Sequence, residues 1–188
     1  MSSTKNPWIL QMWKTMLEDL LLDDSEHGPA KAKRRHCMMG FSEPEVLNLP
    51  TTAPQVSRDG VIFVAQMIVS HLWSPGFLDF TQAFHSGDPI KRELYAEIPK
   101  EGIPGVDSRQ LLQVLKTCYG LTDGPFAWYD HITRMLVQEL GYHQSKADPC
   151  IFQLYDDRKN LIGIIGLATD DMLHGGNEIH QQNMESLR

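Results

Sequence analysis

The stretch CIFQLYDDRKNLIGIIGLATDDMLH, Cys150–His174, decides the fold. Two runs rich in β-branched and aromatic residues, Cys150–Tyr155 and Leu161–Ala168, flank the polar connection Asp156-Asp157-Arg158-Lys159-Asn160, which predicts a hairpin. The second run leads straight into Asp170-Asp171, and Met172-Leu173-His174 predicts a return strand, so the aspartate pair falls at a tight turn. A carboxylate at the end of an apolar strand is costly unless a cation or a donor meets it, and adjacent carboxylates repel each other.

Working outward, Gly124-Pro125 opens a helix with Trp128, Ile132, Met135, Leu136 and Leu140 on one face, and Gly141 closes it. Ser108 to Thr117 suits either a strand or a short helix. Phe77-Leu78-Asp79-Phe80 reads as a short buried strand ending on a carboxylate, and Gly60 to Trp73 as a buried helix stopped by Pro75-Gly76. Residues 25–60 are polar and proline-bearing, a loop with one strand through His36–Phe41. Residues 8–22 space Trp8, Ile9, Met12, Trp13, Met16, Leu17, Leu20 and Leu21 as an amphipathic helix. The order of elements predicts an α+β fold, an antiparallel sheet with helices packed on one face.

A chain of 188 residues forms one domain or one domain with an arm, and 41% hydrophobic residues suffice for a core. The formal net charge of −7 excludes a general polyanion binder, yet Lys31, Lys33, Arg34 and Arg35 place four cations within five positions. Cys37, Cys118 and Cys150 are odd in number and unpaired in spacing, so neither a disulfide framework nor a zinc knuckle is expected. No apolar run approaches the ~18–20 residues of a bilayer span, and no signal pattern opens the chain. The expectation is a protein without a membrane, cytoplasmic or nuclear.

The eight histidines form no His-Glu-x-x-His pattern, and neither a phosphate-binding loop nor a nucleophile elbow is present. That leaves Asp79, Asp170 and Asp171 as candidate ligands of a divalent metal. Mg²⁺ takes a few carboxylates, water and substrate phosphates, and two such ions serve phosphoryl and nucleotidyl transfer.

Five blocks then occur in an order that is specific. Leu78-Asp79-Phe80-Thr81-Gln82-Ala83-Phe84 with Gly87-Asp88 and Leu94-Tyr95 is followed by Leu115-Lys116-Thr117-Cys118-Tyr119-Gly120-Leu121 with Pro125, Trp128 and Tyr129. Leu140-Gly141-Tyr142, Ser145 and Asp148-Pro149-Cys150-Ile151-Phe152 come next, then Ala168-Thr169-Asp170-Asp171-Met172-Leu173; Lys33-Arg34-Arg35 through Gly40-Phe41-Ser42 lies upstream. Over residues 31–185 the chain resembles the reverse transcriptase domain of copia-type LTR retrotransposons.

The resemblance implies a polymerase palm with partial fingers over 31–188, preceded by an N-terminal helix and linker over 1–30. In it, Asp79, Asp170 and Asp171 hold two Mg²⁺ (or Mn²⁺) ions for template-directed addition of dNTP to a primer on RNA or DNA. Phe84 takes the steric-gate position, Lys33 and Arg35 face the triphosphate, and Gly120 and Pro125 shape the surface near the nascent base pair. Ala168-Thr169 stand where the family has Tyr-Val, Asp123 and Phe126 where it has Gln and Arg, and Met39 where it has Lys. Only 17 residues follow Asp171 in the 188, so no thumb is expected. Two readings stay open at this point: a polymerase domain, and a catalytically inactive retroelement remnant serving at most as a binding module.

Overall fold

The computed structural model describes residues 37–43, 46–80, 83–100 and 102–187. The expected helix over 8–22 and the basic residues Lys33 and Arg35 lie outside them.

Five strands form one antiparallel sheet: β1 (Gly76–Asp79), β4 (His143–Gln144), β5 (Ile151–Tyr155), β6 (Leu161–Ala168) and β7 (Asp171–Gly176), in the order β1-β7-β6-β5-β4. The hairpin read from Cys150–His174 is the centre of this sheet. Asp156 ties its connection, its carboxylate accepting from the backbone N–H groups of Arg158 and Asn160. A second, two-stranded sheet pairs β2 (Tyr95–Glu97) with β3 (Leu111–Gln113), which resolves the ambiguous segment before Thr117 as a strand.

Among the described residues four α-helices accompany the sheets: α1 (Arg58–Ser70), the short α2 (Ala83–Ser86), α3 (Gly124–Arg134) and α4 (Glu178–Ser186). Ser57 caps α1 by accepting from the Gly60 N–H at 2.9 Å. Pro125 sits in the first turn of α3, where its missing N–H costs nothing. The expected continuation to Gly141 is there too, as a π-helical turn over Met135–Glu139. Asn177 caps α4 by accepting from the His180 N–H, and the polar spacing of 178–186 gave this helix no strong periodic signal.

Helices lie on both faces of the sheet, which corrects the expectation of one helical face. Adjacent residues of β6 point opposite ways. Ile165 and Leu167 pack with Trp128 and Ile132 of α3, Leu136 of the π-helical turn that follows it, and Met184 of α4. Ile164 packs with Val64 and Ile68 of α1. A strand apolar at consecutive positions is buried on both sides, and Leu161–Ala168 carries that pattern. Each fully buried Ile contributes roughly 1.5–3 kcal/mol relative to exposure. The expectation of a buried helix over Gly60–Trp73 holds for one stripe of α1 only; Ile62 and Val69 are 58% and 67% exposed.

The segment 37–43 is a 3-10 turn at Gly40–Ser42 rather than the expected strand, but it docks by strand-like bonds. The Met38 N–H donates to the Tyr119 carbonyl at 2.7 Å and the Gly40 N–H to the Gly120 carbonyl at 3.1 Å. Gly120 has φ +88°, and a Cβ there would meet the Met38 carbonyl oxygen at 2.0 Å, so both conformation and approach demand glycine.

Candidate active site

Strand register brings the three candidate carboxylates to one end of the sheet. Asp79 is the last residue of β1 and pairs directly with Asp171, the first of β7. Residues so opposed project from the same face. Leu78 and Met172, one step away, enter the core on the α3 side, so Asp79 and Asp171 project on the α1 side, past the part that α1 covers, and both are exposed. Asp170, half-buried, sits beside them in the two-residue turn Thr169-Asp170, and its carbonyl accepts the Phe80 N–H at 2.9 Å. That bond makes Asp79 and Asp171 a non-hydrogen-bonded pair, in which Cα atoms approach to about 4.5 Å.

The turn itself is unusual. Thr169, a β-branched residue, has φ +55°, a conformation that costs such residues about 1–3 kcal/mol. Two side chains hold it there. The Trp128 indole N–H donates to the Thr169 carbonyl at 2.8 Å, and the Gln55 amide donates to the Thr169 hydroxyl at 2.8 Å. Trp128, 2% exposed, also meets the ring of Phe80 edge-on, with centroids 5.0 Å apart. The sequence gives no sign of Gln55, which lies in a proline-bearing loop 114 positions from its partner.

A second group of expected site residues comes together around a pocket of about 250 Å³. Phe84, Gly120 and Pro125 line it with Cys118 and Tyr119. Phe84 is half-buried and edge-on to Tyr119 at 5.3 Å, and its carbonyl accepts the buried Thr117 hydroxyl. Burial, with smaller contributions from Cys37 and Asp123, pushes the Cys118 thiol up to about 11, so this wall of the pocket is neutral. The two groups share a support, because α3 begins at the pocket with Pro125 and reaches the aspartate turn with Trp128. Three helical residues amount to about 4.5 Å of rise.

Arg92 braces this region, a role that no local pattern announces. Its guanidinium reaches Glu43 and Asp123 with two bonds each and so ties the segment after Gly40 to the start of α3. The hydrogen bonds it donates to Asp123 and Glu43 hold its pKa far above the ordinary arginine value, against the effect of burial. Asp123 is thereby occupied by a partner within the chain. Asp88 bonds Arg134 and His131 of α3, and the Arg134 guanidinium keeps its carboxyl below the usual range.

As donors, Asp79, Asp170 and Asp171 offer only oxygen, two of them exposed, which suits a hard divalent cation that keeps part of its water. Among the described residues, no three His, Cys, Asp or Glu side chains stand close enough together to hold an ion. Like-charged carboxylates oppose such a gathering without a counter-ion. Among the described residues no helix is long and apolar enough to cross a membrane.

Neither the curated proteins nor the solved structures compared with this chain give a match. A family model described as reverse transcriptase (RNA-dependent DNA polymerase) matches residues 11–186. With its five sequence blocks in order and nearly its whole length matched, the chain belongs to the reverse transcriptase family that is typical of copia-type elements.

Proposed function

We propose that the chain carries the nucleotidyl-transfer centre of a copia-type reverse transcriptase, in a palm with partial fingers. The reaction is attack by a primer 3′-OH on the α-phosphate of a dNTP, with release of pyrophosphate. The observation that carries this reading is the register of β1 against β7, which sets Asp79 opposite Asp171 with Asp170 in the adjoining turn. Asp79, Asp170 and Asp171 would hold two Mg²⁺ or Mn²⁺ ions, which would supply activation of the attacking hydroxyl and charge neutralisation on the leaving group. The chain's own contribution is position: the ladder and the turn set where the carboxylates stand before substrate arrives.

The pocket supports the remaining roles. Phe84 presents an aromatic wall of the kind that excludes a ribose 2′-OH, and Gly120 and Pro125 border the same space. That lining is neutral and aromatic, suited to a sugar and base rather than to phosphates. For the triphosphate, the family resemblance alone supports Lys33 and Arg35.

Primer extension tests the reading. The chain is given an RNA template, a primer, dNTPs and Mg²⁺ or Mn²⁺, beside its Asp79→Asn and Asp170→Asn variants. Extension by the parent that both substitutions abolish is the expected result. A folded parent that extends nothing and binds primer-template no more tightly at low salt than at high salt overturns the reading in favour of an inactive remnant. Extension that survives both substitutions overturns the site.

A further inference from the structure

Trp128 does more than fill the core. Its one polar atom reaches the Thr169 carbonyl at 2.8 Å, and its ring faces Phe80, whose N–H in turn binds the Asp170 carbonyl at 2.9 Å. One buried side chain thus touches both halves of the carboxylate group, the end of β1 and the β6–β7 turn. The turn needs holding. Thr169 at φ +55° has a backbone that a threonine leaves when free to do so, and relaxation there would rotate the peptide that begins Asp170.

We propose that Trp128 is a positioning residue for the carboxylate site: its indole N–H clamps the Thr169 carbonyl and so fixes the left-handed turn that presents Asp170 and Asp171 opposite Asp79. Gln55 acts in the same sense from the other side, through the Thr169 hydroxyl. The inference rests on the carboxylates being the metal-binding group of the proposed function. It adds that their geometry depends on a hydrogen bond from α3 and one from the loop before α1. A glycine adopts positive φ without strain, so Thr169→Gly removes the need for the clamp.

The test reads Mn²⁺ binding to the full chain by electron paramagnetic resonance, which does not require turnover, with kcat and dNTP KM from primer extension measured beside it. Four proteins are compared: the parent, Asp170→Asn, Trp128→Phe, and Trp128→Phe combined with Thr169→Gly. Trp128→Phe keeps an aromatic ring against Phe80 and loses the donor together with part of the indole's volume, a loss that Thr169→Gly does not restore. It is expected to weaken Mn²⁺ binding roughly 10-fold and to lower kcat with KM within about twofold, while the double variant regains most of the affinity. A purely structural role for the indole would not be rescued by a glycine at the residue whose carbonyl the indole N–H holds.

Each other outcome has a definite meaning. Trp128→Phe binding Mn²⁺ like the parent while Asp170→Asn does not would overturn the positioning role and leave the carboxylate reading intact. Asp170→Asn binding like the parent would overturn the carboxylate reading itself. If Trp128→Phe fails to fold, the parent decides: Mg²⁺ is expected to shift and slow exchange of the Trp128 indole N–H resonance, an effect absent in Asp170→Asn. A Trp128 resonance indifferent to Mg²⁺ in the parent overturns the proposal.

Discussion

Asp79 lies directly across the β1–β7 ladder from Asp171, as a closely spaced pair without hydrogen bonds between them. Like charges so opposed destabilise a sheet by about 0.2–1 kcal/mol. Asp171→Asn is therefore expected to stabilise the chain by up to about 1 kcal/mol in EDTA, a gain that shrinks in high salt as the repulsion is screened. Urea unfolding midpoints of parent and variant at two salt concentrations check it. A variant less stable than the parent at low salt would mean that Asp171 makes a favourable contact that outweighs the repulsion.

Arg92 gives a larger effect. Its partners Glu43 and Asp123 have side chains only 5% and 10% exposed, so removal of the guanidinium strands two carboxylates in low dielectric. Arg92→Met is expected to cost about 3–5 kcal/mol, as breaking one side of a buried ion pair does. Arg92→Lys cannot make two forked contacts and is expected to recover only part of that. Denaturant titration of both variants measures the difference. Equal stability of Arg92→Met and the parent would show the pair to be solvated in solution.

These two sites show where the sequence was legible and where it was not. The central hairpin and the aspartate turn were readable because apolar runs, polar connection and acidic end are all local. Asp79, Asp170 and Asp171 follow from the same pattern, and Phe84, Gly120 and Pro125 from the family resemblance. The sidedness of the helices was misread, although Ile164-Ile165 at the middle of β6 already demands cover on both faces. Arg92, Gln55 and the indole N–H of Trp128 were invisible as site supports for a different reason. Their partners are 31 to 114 positions away, and a long-range hydrogen bond leaves no periodicity behind.

Gly120 makes a test of backbone approach. Its φ of +88° and the Met38 carbonyl in the space of a missing Cβ leave no room for alanine. Gly120→Ala is expected to cost at least 1–3 kcal/mol from the backbone alone and to push the 37–43 segment off the Tyr119–Gly120 backbone. Hydrogen exchange reads this directly. The Met38 and Gly40 amides, which donate to Tyr119 and Gly120, are expected to lose protection while the amides of β6 keep theirs. Uniform loss across the sheet would mean that the segment is part of the global unfolding unit instead.

His180 supplies a pH dependence whose sign follows from its surroundings. It is fully buried beneath the sheet, with Nδ1 at 2.9 Å from the Tyr142 hydroxyl and Nε2 at 3.0 Å from the His174 Nδ1. Burial, then the nearby His174, pushes its pKa down from 6.5 to about 4, and burial pushes Tyr142 up to about 12. Above pH 6.5 His180 is neutral in folded and unfolded chains alike, and its contribution is complete. As pH falls below 6.5, the unfolded chain takes the proton first and stability declines, until the folded chain is protonated too near pH 4. At about 1.4 kcal/mol per tenfold, the loss over that window is roughly 3 kcal/mol. His180→Gln is expected to be less stable than the parent at pH 7, because it disrupts the buried chain of hydrogen bonds. The deficit is expected to narrow steadily in urea titrations at pH 7.0, 5.5 and 4.5, since the variant has no proton to take up at that position. A deficit independent of pH would show that His180 titrates normally in the folded chain.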